Sequence, residues 1–328
     1  QITYAYMSHD GKNYADPEPE LGDFLKYAKW MRDNLNPEVT IDQIQKLYEQ
    51  SCAGELMVYK PGGSLDDIQM VLTDADGKEV LSTTATPNKE GKIEECMHLH
   101  DVKAWSAECP NLYTLKVEAL DGANTIEATA FNVGFRTVEI KNAQLLVNGQ
   151  PVLVKGANRH EIHPNGGYHL TYEQMVRDIQ LMKELNLNAV RTCHYPNSPM
   201  WYDLCDKYGI YVVDEGNIES HGMGYKEKTL AKDPQYTEAH LARDQRMVLR
   251  DFNHPSVIYW SLGNEAGNGP NFHKCYDWIK AYDKSRPVAY EQANVIRYGK
   301  NKGIHNTDID APMYATYDDC IKHSEGKN

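Results

Sequence analysis

From about residue 150 onward the sequence repeats one unit: an apolar strand-like run, a polar loop, then a stretch with helical spacing. No other feature limits the available folds as much. The run PVLVKGANRH is followed by LTYEQMVRDIQLMKELNL, where Thr171 and Gln174 have capping-box spacing and Leu170 and Met175 stand at the hydrophobic-staple positions. Met175, Ile179 and Met182 then recur on one helical face. NAVRTCHYP precedes a helix opening at Pro199, and GIYVVDEGNIESHG precedes one signalled by Asp233-Pro234. SVIYWSLGNEAG leads to a helix carrying Phe272, Cys275, Tyr276 and Ile279, and RPVAYEQA and DIDAPMYAT read as two further strands. Six strand candidates joined by at least four crossover helices predict a parallel sheet covered by helices. Polar residues follow nearly every strand, whereas an open doubly wound sheet gathers them at one switch point. A (β/α)8 TIM barrel over 142–328, incomplete after about six strands, is therefore the expected architecture.

Upstream the texture differs. DIQMVLTDADGKEVLSTT is two strand-like runs around an Asp-Ala-Asp-Gly turn, and LYTLKVEALDGANTIEATAFNV repeats the pattern with Asp121-Gly122 at the bend. Such spacing predicts a small immunoglobulin-like β-sandwich over 64–141. Residues 1–63 form an unassigned, partly helical segment, with Leu25, Ala28, Trp30 and Met31 at helical spacing, then Ile41, Ile44, Leu47 and Tyr48. With 328 residues and 41% hydrophobic content there is enough material for one large domain and a smaller one. The formal charge of -13 is spread as mixed signs, which argues against a nucleic-acid surface. Seven cysteines without a C-x-x-C pair indicate neither a disulfide framework nor a zinc knuckle, and are expected to be reduced packing residues. No apolar window reaches the roughly 18 to 20 residues of a membrane helix. The compartment stays open between cytoplasm and periplasm.

The strand ends carry the chemistry. They present Asn158, Arg159, His160 and Glu161; Arg191 and His194; Asp214, Glu215, Asn217, Glu219 and His221; Asn264 and Glu265; Glu291; and Tyr314. In a (β/α) barrel these converge on one mouth. Two chemistries compete for it. Metal-assisted hydrolysis would use Glu219, His221 and Glu265 as oxygen and imidazole ligands. Glycoside hydrolysis wants two carboxyl groups, one raised in pKa to protonate the leaving oxygen. The adjacent Asn264 and Glu265 favour the second, because an amide beside the acid can hold a sugar hydroxyl while the carboxyl reaches the glycosidic oxygen. Trp260, on the same strand, is expected to pack the barrel.

From about residue 64 onward the chain resembles the β-galactosidases of glycoside hydrolase family 2. The resemblance is carried by WSAECPNLYTLKVEAL, VGFRTVEI, LLVNGQPVLVKGANRHEIHPNGG, NAVRTCHYPNSPMWYDLCDKYGIYVVDEGNIESHG and RDFNHPSVIYWSLGNEAGNG. It implies that Glu265 is the general acid/base and that Asn264 holds the sugar 2-hydroxyl. It also implies a Mg²⁺ gathered by Glu219, His221 and Glu265, sugar contacts from His160 and His194, and a Tyr314 that hydrogen-bonds the nucleophile. That nucleophile is a second Glu in a Cys-Glu-Tyr-like context, and this sequence contains no Glu-Tyr pair. The expectation is thus a fragment of a retaining exo-β-galactosidase acting on terminal β-D-galactosyl residues, inactive alone, with the full-length enzyme a homo-oligomer. Glu291 is expected to be structural or peripheral. The alternatives are a β-glucuronidase or other family 2 glycosidase, and a non-catalytic carbohydrate-binding fragment. Neither nucleic acid nor membrane is expected as a partner.

Overall fold

The computed structural model describes residues 67–88, 93, 96–293 and 306–325, so the helical spacing read over 1–63 lies outside the described residues. The chain divides into two compact units. In the first, β1 (Asp67–Thr73), β2 (Glu79–Ala85), β3 (Tyr113–Asp121) and β4 (Asn124–Val133) form a sheet in the order β2-β1-β3-β4. β1 and β2 pair antiparallel, Ile68 opposite Ala85 and Leu72 opposite Leu81. The alternation read from the sequence puts Ile68, Val117 and Ala119 on the buried face, where Met70, Ile93, Leu115 and Phe131 pack against them. This is the described part of the immunoglobulin-like sandwich.

The second unit opens with a small antiparallel sheet, β5 (Val138–Lys141), β6 (Gln144–Val147) and β7 (Gln150–Pro151). Then comes a parallel sheet of β8 (Gly156–Arg159), β9 (Ala189–Thr192), β10 (Tyr211–Glu215), β11 (Val257–Ser261) and β12 (Val288–Ala289). Its spatial order is β12-β11-β10-β9-β8, the order of the sequence. A doubly wound sheet reverses direction at a switch point; unbroken sequential order is the arc of a barrel. The crossovers are α1 (Tyr172–Glu184), α2 (Pro199–Tyr208), α3 (Thr237–Asp251) and α4 (Pro270–Tyr282), and α5 (Tyr317–Ser324) follows.

Local chemistry accounts for these boundaries. Thr171 Oγ1 accepts from Gln174 N while Gln174 Oε1 accepts from Thr171 N, a complete capping box at the start of α1. α2 has Pro199 in its first turn and ends at Gly209 in the left-handed region. Asp233-Pro234 starts a single 3₁₀ turn rather than the long helix itself; α3 begins three residues later, at Thr237. β10 and β11 are buried almost throughout, as strands covered on both faces must be. Met175, Ile179, Trp201, Val212, Met247, Trp260, Phe272 and Ile279 belong to one apolar core between sheet and helices.

The last expected strand does not form as such. DIDAPMYAT contributes one parallel bridge, Ile309 to Ala289, and the amide of Asp308 donates to Val288 O. Pro312 has no N–H to extend a ladder, and a turn through Met313 and Tyr314 follows at once. The second compact unit takes in residues 99–114 as well as those from Asn132 onward. The reason is burial. Trp105 is fully enclosed, its indole N–H donating to Asp206 O (2.8 Å) and its ring edge-on to Tyr211. Arg136 donates to the carbonyls of Pro255 and Val257.

Candidate active site

At the C-terminal ends of the parallel strands, Asn158, His160, Arg191, Cys193, His194, Asn264, Glu265, Met313 and Tyr314 line one cavity of about 480 Å³. That volume suits a small ligand. Of the residues expected to bind sugar, His160, His194, Asn264 and Tyr314 are all in it, together with Glu265.

Arg191 organises the mouth. From β9 its guanidinium donates to both oxygens of Glu215 (2.6 and 3.0 Å), to Asn264 Oδ1 (2.8 Å) and to Asn158 Oδ1 (3.2 Å). Glu215 at the end of β10 is wholly buried, and it also accepts from Ser261 Oγ (2.7 Å) and pairs with His194 Nδ1 (2.8 Å). Two consequences follow from the donor chemistry. His194 is held through Nδ1, so Nε2 is its remaining ring nitrogen. Asn264 spends its carbonyl on Arg191, so its NH₂ group is the end left to meet a hydroxyl in the cavity.

Glu265 sits on a strained turn. Gly263, two residues before it, has φ +149°, and a Cβ there would lie 2.5 Å from Ile218 O; Glu265 itself has φ +42°. The turn is held by Asn264 N donating to Ile218 O (2.8 Å) and Glu265 N donating to Glu291 Oε1 (2.6 Å). Tyr225 Oη donates to Glu265 Oε1 (3.1 Å), and His221 Nδ1 lies 3.4 Å from Glu265 Oε2. Burial, helped by the charge of Glu215, pushes the Glu291 carboxyl up to about 7.

The three expected Mg²⁺ ligands are neighbours without closing into one cluster. His221 and Glu265 present atoms close enough to share an ion, while Glu219 is exposed and turns its carboxylate back onto the amide of His221 (3.3 Å). Among the described residues, groups whose ligand atoms all lie within 4.8 Å of one another are His160, Cys193 and His194, and separately Asp203, Asp206 and His254. The other strand-end residues hold the frame. Asp214 points to the opposite face from Glu215, accepts from Tyr202 Oη (2.6 Å), and is pushed well up by burial and Asp251. Glu161 accepts from Ser198 N, and Arg159 stacks on Trp201. Trp260 is buried in the barrel with its N–H on Asp283, as expected. The organising part of Arg191 and Glu215 was not apparent from strand-end position alone, and nothing in the sequence singles out Tyr225.

A family model for the glycosyl hydrolases family 2 TIM barrel domain matches residues 138–325, and a second, for glycosyl hydrolases family 2, matches 67–136. The chain belongs to glycosyl hydrolases family 2. It is 53% identical over 230 residues to a β-galactosidase of Vibrio vulnificus, covering 70% of this chain and 22% of that protein. It is 50% identical over 231 residues to a β-galactosidase of Photobacterium profundum, again covering 70% and 22%. Among solved structures, a β-D-glucuronidase of Dictyoglomus thermophilum is 29% identical with a TM-score of 0.58, over 69% of this chain and 39% of that one. A Ruminococcus gnavus β-glucuronidase in complex with a C6-substituted uronic isofagomine is 30% identical with a TM-score of 0.60, over 69% and 38%. The family 2 chain thus spans about a fifth of the length of the curated relatives it matches.

Proposed function

We propose that this family 2 chain carries the sugar-binding and acid/base part of a retaining exo-β-galactosidase. The observation that carries this is the Asn264-Glu265 pair: it enters the same cavity as His160 and His194, with the amide NH₂ and the carboxyl side by side. Glu265 protonates the departing glycosidic oxygen and later takes a proton from the attacking water, while Asn264 holds the neighbouring hydroxyl. His194, fixed by Glu215, and His160 contact the sugar ring.

A neutral sugar fits this cavity better than a uronate. Among the described lining residues the cation is Arg191, and four of its five N–H donors are already spent on Glu215, Asn264 and Asn158. A glucuronate carboxylate would need a cation of its own. The β-glucuronidase reading rests on the structural neighbours, and this pairing weighs against it.

Retention also needs a nucleophilic carboxylate about 5–5.5 Å from the acid. Glu215 is saturated by three side chains and Glu291 is tied to the Glu265 amide, so neither is assigned that task. A Mg²⁺ held by His221 and Glu265, with Glu219 swung toward them, would supply fixed positive charge beside the acid/base carboxyl. On these grounds the isolated chain binds galactosides without turning them over. The test is calorimetry of the chain with galactose and with glucuronate, alongside hydrolysis of the two nitrophenyl glycosides. Galactose binding that is lost in Asn264→Ala, with no turnover, is the expected result; preference for glucuronate, or enzyme-like turnover by the chain alone, would refute it.

A further inference from the structure

We propose that His160, Cys193 and His194 form a binding site for a borderline-soft divalent cation of the zinc class, distinct from the Glu219, His221 and Glu265 set. Their ligand atoms lie within 4.8 Å of one another, and all three residues line the cavity. Two imidazoles and a thiol are the donors such an ion selects, at about 2.0–2.1 Å for nitrogen and 2.3 Å for sulfur. Closing the set to those lengths is a small movement, and His160 is the exposed member that can make it.

The support behind the ligands is already built. His194 Nδ1 is held 2.8 Å from Glu215 Oε1, and Glu215 is itself buried and anchored by Arg191 and Ser261. A carboxylate behind a ligating imidazole fixes the ring and raises its basicity, leaving Nε2 for the ion. Cys193 is buried yet faces the cavity. Binding forms the metal–sulfur bond and releases the thiol proton to solvent. The other compact cluster lacks this readiness: His254 is already bonded to Asp206 (2.6 Å), which also accepts from Ser256 N. Three protein ligands leave a fourth position open toward the cavity. On the function proposed above, an ion there would exclude the sugar.

The test needs no turnover. The 328-residue chain is titrated with Co²⁺ in the presence of excess Mg²⁺, following the thiolate-to-cobalt charge-transfer band and the tetrahedral d–d bands. One equivalent should develop both, and Zn²⁺ should displace them. Cys193→Ser should abolish the charge-transfer band, and His160→Gln, at an exposed position that folding tolerates, should weaken binding by about tenfold or more. Asp203→Asn should change neither. Absence of the band in the unmodified chain, its survival in Cys193→Ser, or undiminished binding in His160→Gln would overturn the site.

Discussion

Arg191 shows how one residue can set the character of a site without touching the bond that breaks. Its guanidinium fixes the carbonyl end of Asn264 and, through Glu215, the ring of His194. Replacing it with Lys keeps the charge and loses the fork, so galactoside affinity should fall about tenfold or more in Arg191→Lys. Unchanged affinity in calorimetry would remove Arg191 from the positioning machinery. Glu291 makes a separate prediction. Its carboxyl stands near 7 in the folded protein against an ordinary 4.5, chiefly through burial. The folded state therefore holds that proton more tightly than the unfolded one, and stability should decline as pH rises between those two values. Glu291→Gln keeps an acceptor for the Glu265 amide and does not titrate. Relative to it, the unmodified chain should lose on the order of 2 kcal/mol between pH 5 and pH 7 in denaturant melts. Parallel pH profiles for the two proteins would contradict the burial argument. Strand-end position sufficed to gather His160, His194, Asn264 and Glu265 from the sequence. The tasks of Arg191, Glu215 and Glu291 were hidden because each acts across strands, on partners 21 to 73 residues away.

Elements were legible in proportion to how local their causes are. α1 follows from Thr171 and Gln174, three residues apart, and β10 and β11 from apolar runs that fill both faces of a covered sheet. Thr171→Ala should cost about 1 kcal/mol, read as a shift in denaturation midpoint. The strand expected over DIDAPMYAT failed because Pro312 and the turn at Tyr314 limit it to a single bridge, although its Tyr314 still reaches the cavity. The attachment of residues 99–114 and Arg136 to the second unit has a nonlocal cause: Trp105 and Arg136 are committed to barrel residues about a hundred positions later. The turn after β11 is the element on which the acid depends. Gly263→Ala puts a methyl group against Ile218 O at a φ that side chains rarely adopt, and should destabilise the chain by more than about 1 kcal/mol while displacing Glu265. A substitution neutral for both stability and sugar binding would show that the turn is not strained as described.

On the scale of the whole molecule, a sheet running in sequence order gathers side chains from separate strands into one cavity, and family 2 membership agrees with that architecture. The central claim is that Glu265 is the proton donor to the departing glycosidic oxygen. It is tested most directly by a leaving-group series of aryl β-galactosides, comparing the unmodified enzyme that carries these residues with its Glu265→Gln variant. A proton donor matters most when the leaving group is a poor one. Glu265→Gln should therefore lose kcat/KM steeply for weakly acidic phenols and little for nitrophenols, and added azide should restore turnover as a β-galactosyl azide. An equal loss across the series, with no azide product, would contradict the assignment.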